Sequence, residues 1–93
     1  MNKGRVIGLL KQHGDAVLTV KLPRKEQEHH LCTLDFKNKY IKSRTRGKKP
    51  WPRDSSSIVV YNWTEDKYWI LNPNIVIKIT PLSDILKNSK SQL

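Results

Sequence analysis

Residues 57–72, "SIVVYNWTEDKYWILN", constrain the fold more than any other stretch of the chain. Two runs dense in β-branched and aromatic side chains, 57–63 and 67–72, flank the polar link "TEDK". Such side chains suit a pleated, half-buried surface, and a four-residue polar link reverses the chain, so the stretch predicts a β-hairpin. Alternate residues of a strand point to opposite faces, so Tyr61 and Trp63 share a face with either Tyr68 or Trp69. Cross-strand packing then accounts for the aromatic cluster, with at most one ring left over as an exposed stacking platform.

Other short runs extend this β-rich pattern. "RVIGLLK" (5–11) and "AVLTVKL" (16–22) read as a hairpin around the turn pair Gly14-Asp15, and Pro23 ends the second strand. The polar "PRKEQEHH" (23–30) is a solvated connection. "HLCTLDF" (30–36) resumes the alternation, with Cys32, Leu34 and Phe36 on one side. "NPN" (72–74) is a turn, and "IVIKIT" (75–80) is a further strand. At the end, Thr80 and Pro81 open a short helix whose Leu82, Ile85 and Leu86 share a face.

The reading is a single all-β domain over residues 1–88, a small five- or six-stranded barrel with a C-terminal helix, followed by a frayed tail at 89–93. Closing the strands into a barrel removes exposed sheet edges. An OB-type barrel is favoured by a long first strand bent at Gly8, and an SH3-like barrel is the alternative. The chain has 93 residues. A domain of that size buries only about 60–65% of the surface it exposes when unfolded, which leaves no room for a second core.

Charge is distributed unevenly along the chain. Between residues 37 and 53 there are eight basic side chains, Lys37, Lys39, Lys42, Arg44, Arg46, Lys48, Lys49 and Arg53, and no acidic one. That window carries +8 of a net +10, while the remainder holds ten basic residues against eight acidic ones. The expectation is a basic loop over 37–57. A polyanionic partner follows, because lysine and arginine neutralise phosphates and release condensed counterions. Tyr40 and Trp51 add flat surfaces for unstacked bases, which points to single-stranded or looped nucleic acid. Trp51 sits between Pro50 and Pro52 on a semi-rigid extended segment, from which it either stacks on a base or covers the barrel mouth.

Other chemistries find little support. The cluster "HHLC" (29–32) with His13 lacks the two separated ligand pairs of a structural zinc site, so neither metal nor cofactor is expected. No carboxylate pair, nucleophile motif or glycine-rich phosphate loop points to catalysis. The lone Cys32 excludes an internal disulfide framework and favours a reducing compartment. The short apolar runs near the start give no signal peptide or membrane span, so the chain reads as soluble and cytoplasmic.

In the order of its features, the chain resembles the translation initiation factor 1A-like branch of OB-fold proteins. "KGRVIGLLKQHGDAVLTVKL" resembles that family's first two strands, "HLCTLDFKNKYIK" its third strand and basic segment, and "SIVVYNWTEDKYWIL" its last barrel hairpin. The match spans roughly residues 3–72. The long "RTRGKKPWPRDSSS", the enlarged "PRKEQEHH" and the extra "NIVIKITPL" depart from the family's pattern. The resemblance implies RNA contact through Lys37, Lys39, Tyr40 and Lys42. The functional expectation is a non-catalytic binder of RNA or single-stranded DNA, using the basic residues above together with Tyr40 and Trp51. The alternative is a protein-interaction module whose basic face docks on an acidic protein partner.

Overall fold

The computed structural model describes residues 1–91. In chain order the elements are helix α1 (Lys3–His13), strands β1 (Ala16–Val20) and β2 (Glu28–Thr33), helix α2 (Lys39–Thr45), and strands β3 (Ile58–Asn62) and β4 (Lys67–Leu71). A 3-10 turn (Pro73–Ile75), strand β5 (Val76–Pro81) and helix α3 (Leu82–Ser91) complete the chain. The aromatic hairpin forms as the sequence predicts, with Tyr61 directly opposite Tyr68 and Val60 opposite Trp69. α3 runs past residue 88, and the remainder of the expected tail, 92 and 93, lies outside the described residues.

The expected first strand at 5–11 is instead the body of α1. Asn2 caps the helix by accepting a hydrogen bond from the Arg5 amide at 2.8 Å. Such a side-chain acceptor satisfies one of the amides that a helix start leaves unpaired. Val6 and Leu10, four residues apart, fall on one helical face and are buried, while Arg5, Gly8 and Lys11 are exposed. A strand would have placed Arg5 and Lys11 on the same face as Ile7 and Leu9, which the helix avoids. Gly14, at φ 78°, terminates α1 by donating to Leu10 O at 2.9 Å. The glycine read as a hairpin turn is therefore a helix C-cap.

With residues 5–11 helical, five strands remain, in the order β4-β3-β2-β1-β5 and all antiparallel. β4 and β5 are the two ends of this order and are not paired with each other, so the sheet is open where a barrel was expected. α1 covers one face. Its Val6 and Leu10 pack with Ala16, Leu18, Val20, Cys32, Ile58, Val60, Leu71 and Val76 in one contiguous core. The Met1 amine donates to Val76 O at 2.8 Å and holds the start of α1 against the β5 end. The opposite face carries Val17, Thr19, Leu31, Thr33 and Tyr61 by strand alternation. α2 covers its β3–β4 end and α3 its β1–β5 end.

The sheet has a weak seam. β1 pairs with β2 and with β5 over most of its length, and β3 pairs fully with β4, but β2 meets β3 only at Cys32–Asn62 and Thr33–Tyr61. Beyond Thr33 the chain leaves the sheet. Leu34 and Phe36, expected to continue the strand, turn away from it, and Ile58 to Val60 face that end without a β2 neighbour.

Polar bonds stitch the seam. Buried Asn62 lies 3.1 Å from His30 Nδ1 through its Nδ2 and accepts from the Glu65 amide at 3.0 Å, while the Trp63 amide donates to Leu31 O at 2.7 Å. His30 packs on Trp69 at 4.4 Å, whereas the neighbouring His29 points to the other face and pairs with Thr19. Opposite faces account for the two histidines. Among the described residues no helix is long and apolar enough to cross a membrane.

Candidate nucleic-acid interface

The basic window is not one uniform loop. Its first half is α2, started by Asn38, whose side chain accepts from the Tyr40 amide at 2.9 Å. The helix is stopped by Arg46 and Gly47, at φ 55° and φ 72°. Left-handed residues of this kind are a common helix ending. Only Ile41 of α2 is buried. A helix of seven residues is marginal alone, so its position depends on tertiary bonds.

Those bonds converge on Asp66, in the β3–β4 turn at φ 55°. Its carboxylate accepts from the Tyr61 hydroxyl at 2.5 Å, from the Tyr40 hydroxyl at 3.1 Å and from Arg44 Nε at 3.0 Å. Tyr61 is fully buried and stands edge-on to Trp63 at 5.0 Å and to Tyr68 at 5.4 Å. The Tyr40 ring lies 5.7 Å from Trp63, whose indole N–H donates to Asp15 at 3.0 Å. Aromatic packing and one carboxylate thus fasten α2 to the hairpin.

Electrostatics follow from these contacts. The bond from Tyr61, then that from Arg44, holds the Asp66 carboxyl below its ordinary range. Burial, reinforced by the bond to Asp66, pushes the Tyr61 hydroxyl up to about 12. The Arg44 guanidinium is held charged by the same carboxylate. Asp54 is engaged locally instead, accepting from the amides and hydroxyls of Ser56 and Ser57, and the Ser56 bonds lead in lowering its pKa. It therefore closes the 54–57 turn.

Of the ten residues the sequence singles out, Arg44 and Tyr40 are committed to this latch, although Tyr40 keeps 51% of its surface exposed. Lys37, Lys39, Lys42, Arg46, Lys48, Lys49 and Arg53 are exposed, and among the described residues none of the seven forms a salt bridge. Trp51 is 87% exposed, so it does not serve as a cover for the core.

A groove of about 480 Å³ opens between α1 and the 49–59 segment, at the place where β2 and β3 part. Ile7, Leu34, Phe36 and Ile58 are among its apolar lining, Trp51 and Pro52 form one side, and Lys3, Lys11 and Lys49 stand along it. Lys49 Nζ lies 4.9 Å over the Phe36 ring. That placement is a cation–π arrangement. Lys3 Nζ donates to Ser55 O at 2.6 Å, tying α1 to the far bank.

Sequence reasoning missed Lys3, Lys11 and Phe36, because it treated 5–11 as a strand and Phe36 as a strand residue on one side with Cys32 and Leu34. The spacing of Val6 and Leu10 after Asn2 carried the helix signal that would have brought the two lysines to the basic window. Compared with known proteins, the chain matches no family model, no curated protein and no solved structure.

Proposed function

We propose that the protein binds RNA or single-stranded DNA without catalysing a reaction on it, through the cationic surface that runs from Lys37 to Arg53. The observation that carries this reading is the set of seven exposed cations at Lys37, Lys39, Lys42, Arg46, Lys48, Lys49 and Arg53, unbridged among the described residues and with no acidic residue between them in the sequence. Cations brought this close repel one another and destabilise the fold slightly, which a bound polyanion reverses. Arg44 differs from them. Its role is to seat α2, so that Lys39 and Lys42 are displayed from a fixed helix.

An open sheet with helices on both faces serves as the platform, in place of an OB or SH3-like barrel. The segment that resembles the first strand of the translation initiation factor 1A-like proteins is α1, so the present reading rests on the cations and not on that family. The lone, buried Cys32 suits a reducing, cytoplasmic setting.

The test is a salt titration of oligonucleotide affinity. With roughly four to six phosphate contacts, log affinity against log salt has a slope of about −3 to −4 on a single strand. Affinity that does not change with salt refutes the reading, as does selective binding to an acidic protein with none to oligonucleotides.

A further inference from the structure

The lysine-lined groove between α1 and the 49–59 segment goes beyond phosphate neutralisation. Its walls combine aromatic and aliphatic side chains with three ammonium groups, and no aspartate or glutamate lines it. Its volume is about 480 Å³. Small-ligand sites usually measure about 300–1,000 Å³, so the groove is large enough for one. The chemistry that fits such a groove is a flat apolar ring joined to negative charge. An unstacked nucleotide within a strand has both, whereas a duplex keeps its bases stacked and paired inside.

Resting on the binding reading above, we propose that this groove receives one unstacked base of a single-stranded nucleic acid, against Trp51 and Phe36, with Lys3, Lys11 and Lys49 on the flanking phosphates. Trp51 suits the role because 87% of its surface is uncovered in the free protein. Pro50 and Pro52 restrict the backbone that carries it. Phe36 is part of the same lining, with Lys49 Nζ 4.9 Å over its ring and Tyr68 5.6 Å away, so a base reaching it takes the place of the Lys49 ammonium. Lys3 uses one donor on Ser55 O and keeps two for a ligand. Lys11 and Lys3 come from α1, so strand binding spans two parts of the chain that lie far apart in sequence.

The preference that follows is for strands with exposed bases over equally charged strands without them. Fluorescence anisotropy of the full chain with a labelled oligothymidylate, an abasic strand of the same length and a duplex separates the two contributions. The base-bearing strand is expected to bind about tenfold more tightly than the abasic one, the scale of a single base–aromatic stack. Trp51→Ala removes that advantage while the salt slope is kept. The double variant Lys3→Gln/Lys11→Gln has the converse effect, making the slope shallower by about one unit. Equal affinity for abasic and base-bearing strands, or a Trp51→Ala protein that still distinguishes them, overturns the groove assignment while leaving salt-dependent binding in place. Absence of salt-dependent binding to every strand overturns the binding reading and the groove with it.

Discussion

The two halves of the basic window differ in what the fold does with their charge. In α2, Arg44 is bonded to Asp66, Tyr40 shares that carboxylate with Tyr61, and the Tyr40 ring packs near Trp63. From Arg46 to Arg53 the cations meet no carboxylate among the described residues, and Trp51 projects into solvent beside a groove. One charge run therefore does two jobs. The first half is structural anchorage that displays a few lysines, and the second is open surface, to which the proposed function assigns the nucleic acid. A charge count cannot separate the two, because the separation is made by a single aspartate 22 residues beyond Arg44.

The largest effect that sharpens this contrast is on stability. Tyr61 is a fully buried aromatic that bonds the same Asp66 carboxylate as α2. Tyr61→Ala empties that site and is expected to cost about 3–5 kcal/mol, the range for truncating a large buried ring. Trp51, on the other half, is exposed. Trp51→Ala is expected to change stability by at most about 0.5 kcal/mol, as substitutions on an open surface do. Denaturant melts of the two variants check both. Equal losses would erase the distinction between anchored and free halves.

pH probes the latch from both ends. Asp66 has a folded pKa below its unfolded value, so its contribution is present above the ordinary carboxylate range and is lost as pH falls through the folded value. Tyr61 is raised from 10.0 to about 12, so its contribution is full below the lower value and is lost as pH rises toward the upper one. Thermal melts are expected to show both losses in the native sequence. Asp66→Asn should reduce the acid limb, leaving the part that Asp54 contributes, and Tyr61→Phe should flatten the alkaline one. An acid limb unchanged in Asp66→Asn would place the acid sensitivity elsewhere.

How much of this was legible depended on whether a signal was local. The β3–β4 hairpin was, because β-branched and aromatic density over 58–62 and 67–71 and the polar link between them need no distant partner. The exposure of the basic residues was legible for the same reason. α1 was misread because Val6, Ile7, Leu9 and Leu10 satisfy a strand's demand for apolar content, and Gly8 looks like a bend. Only the Val6–Leu10 spacing and the cap at Asn2 favour the helix. α2 was invisible, since one buried residue, Ile41, gives no periodicity and its support comes from Asp66 and Tyr61 across the fold. The groove could not be read at all, as it depends on β2 ending at Thr33 and on α1 lying beside residues 49–59.

A smaller effect concerns Cys32. Burial pushes its thiol up to about 12, so it is expected to stay inert to an aromatic disulfide reagent in the native protein and to react on unfolding. Fast native reaction would mean that the core under α1 opens readily.

The central claim, that the exposed cations of the 37–53 window carry nucleic-acid binding, is tested most directly by comparing salt slopes. Affinity for a single-stranded oligonucleotide is measured from low to moderate salt for the native sequence and for a variant with Arg46, Lys48, Lys49 and Arg53 all replaced by glutamine. The account predicts a native slope of about −3 to −4, and a variant slope shallower by about two to three units, as the loss of up to four phosphate contacts requires. The same slope in both proteins, or no dependence on salt in the native one, would contradict it.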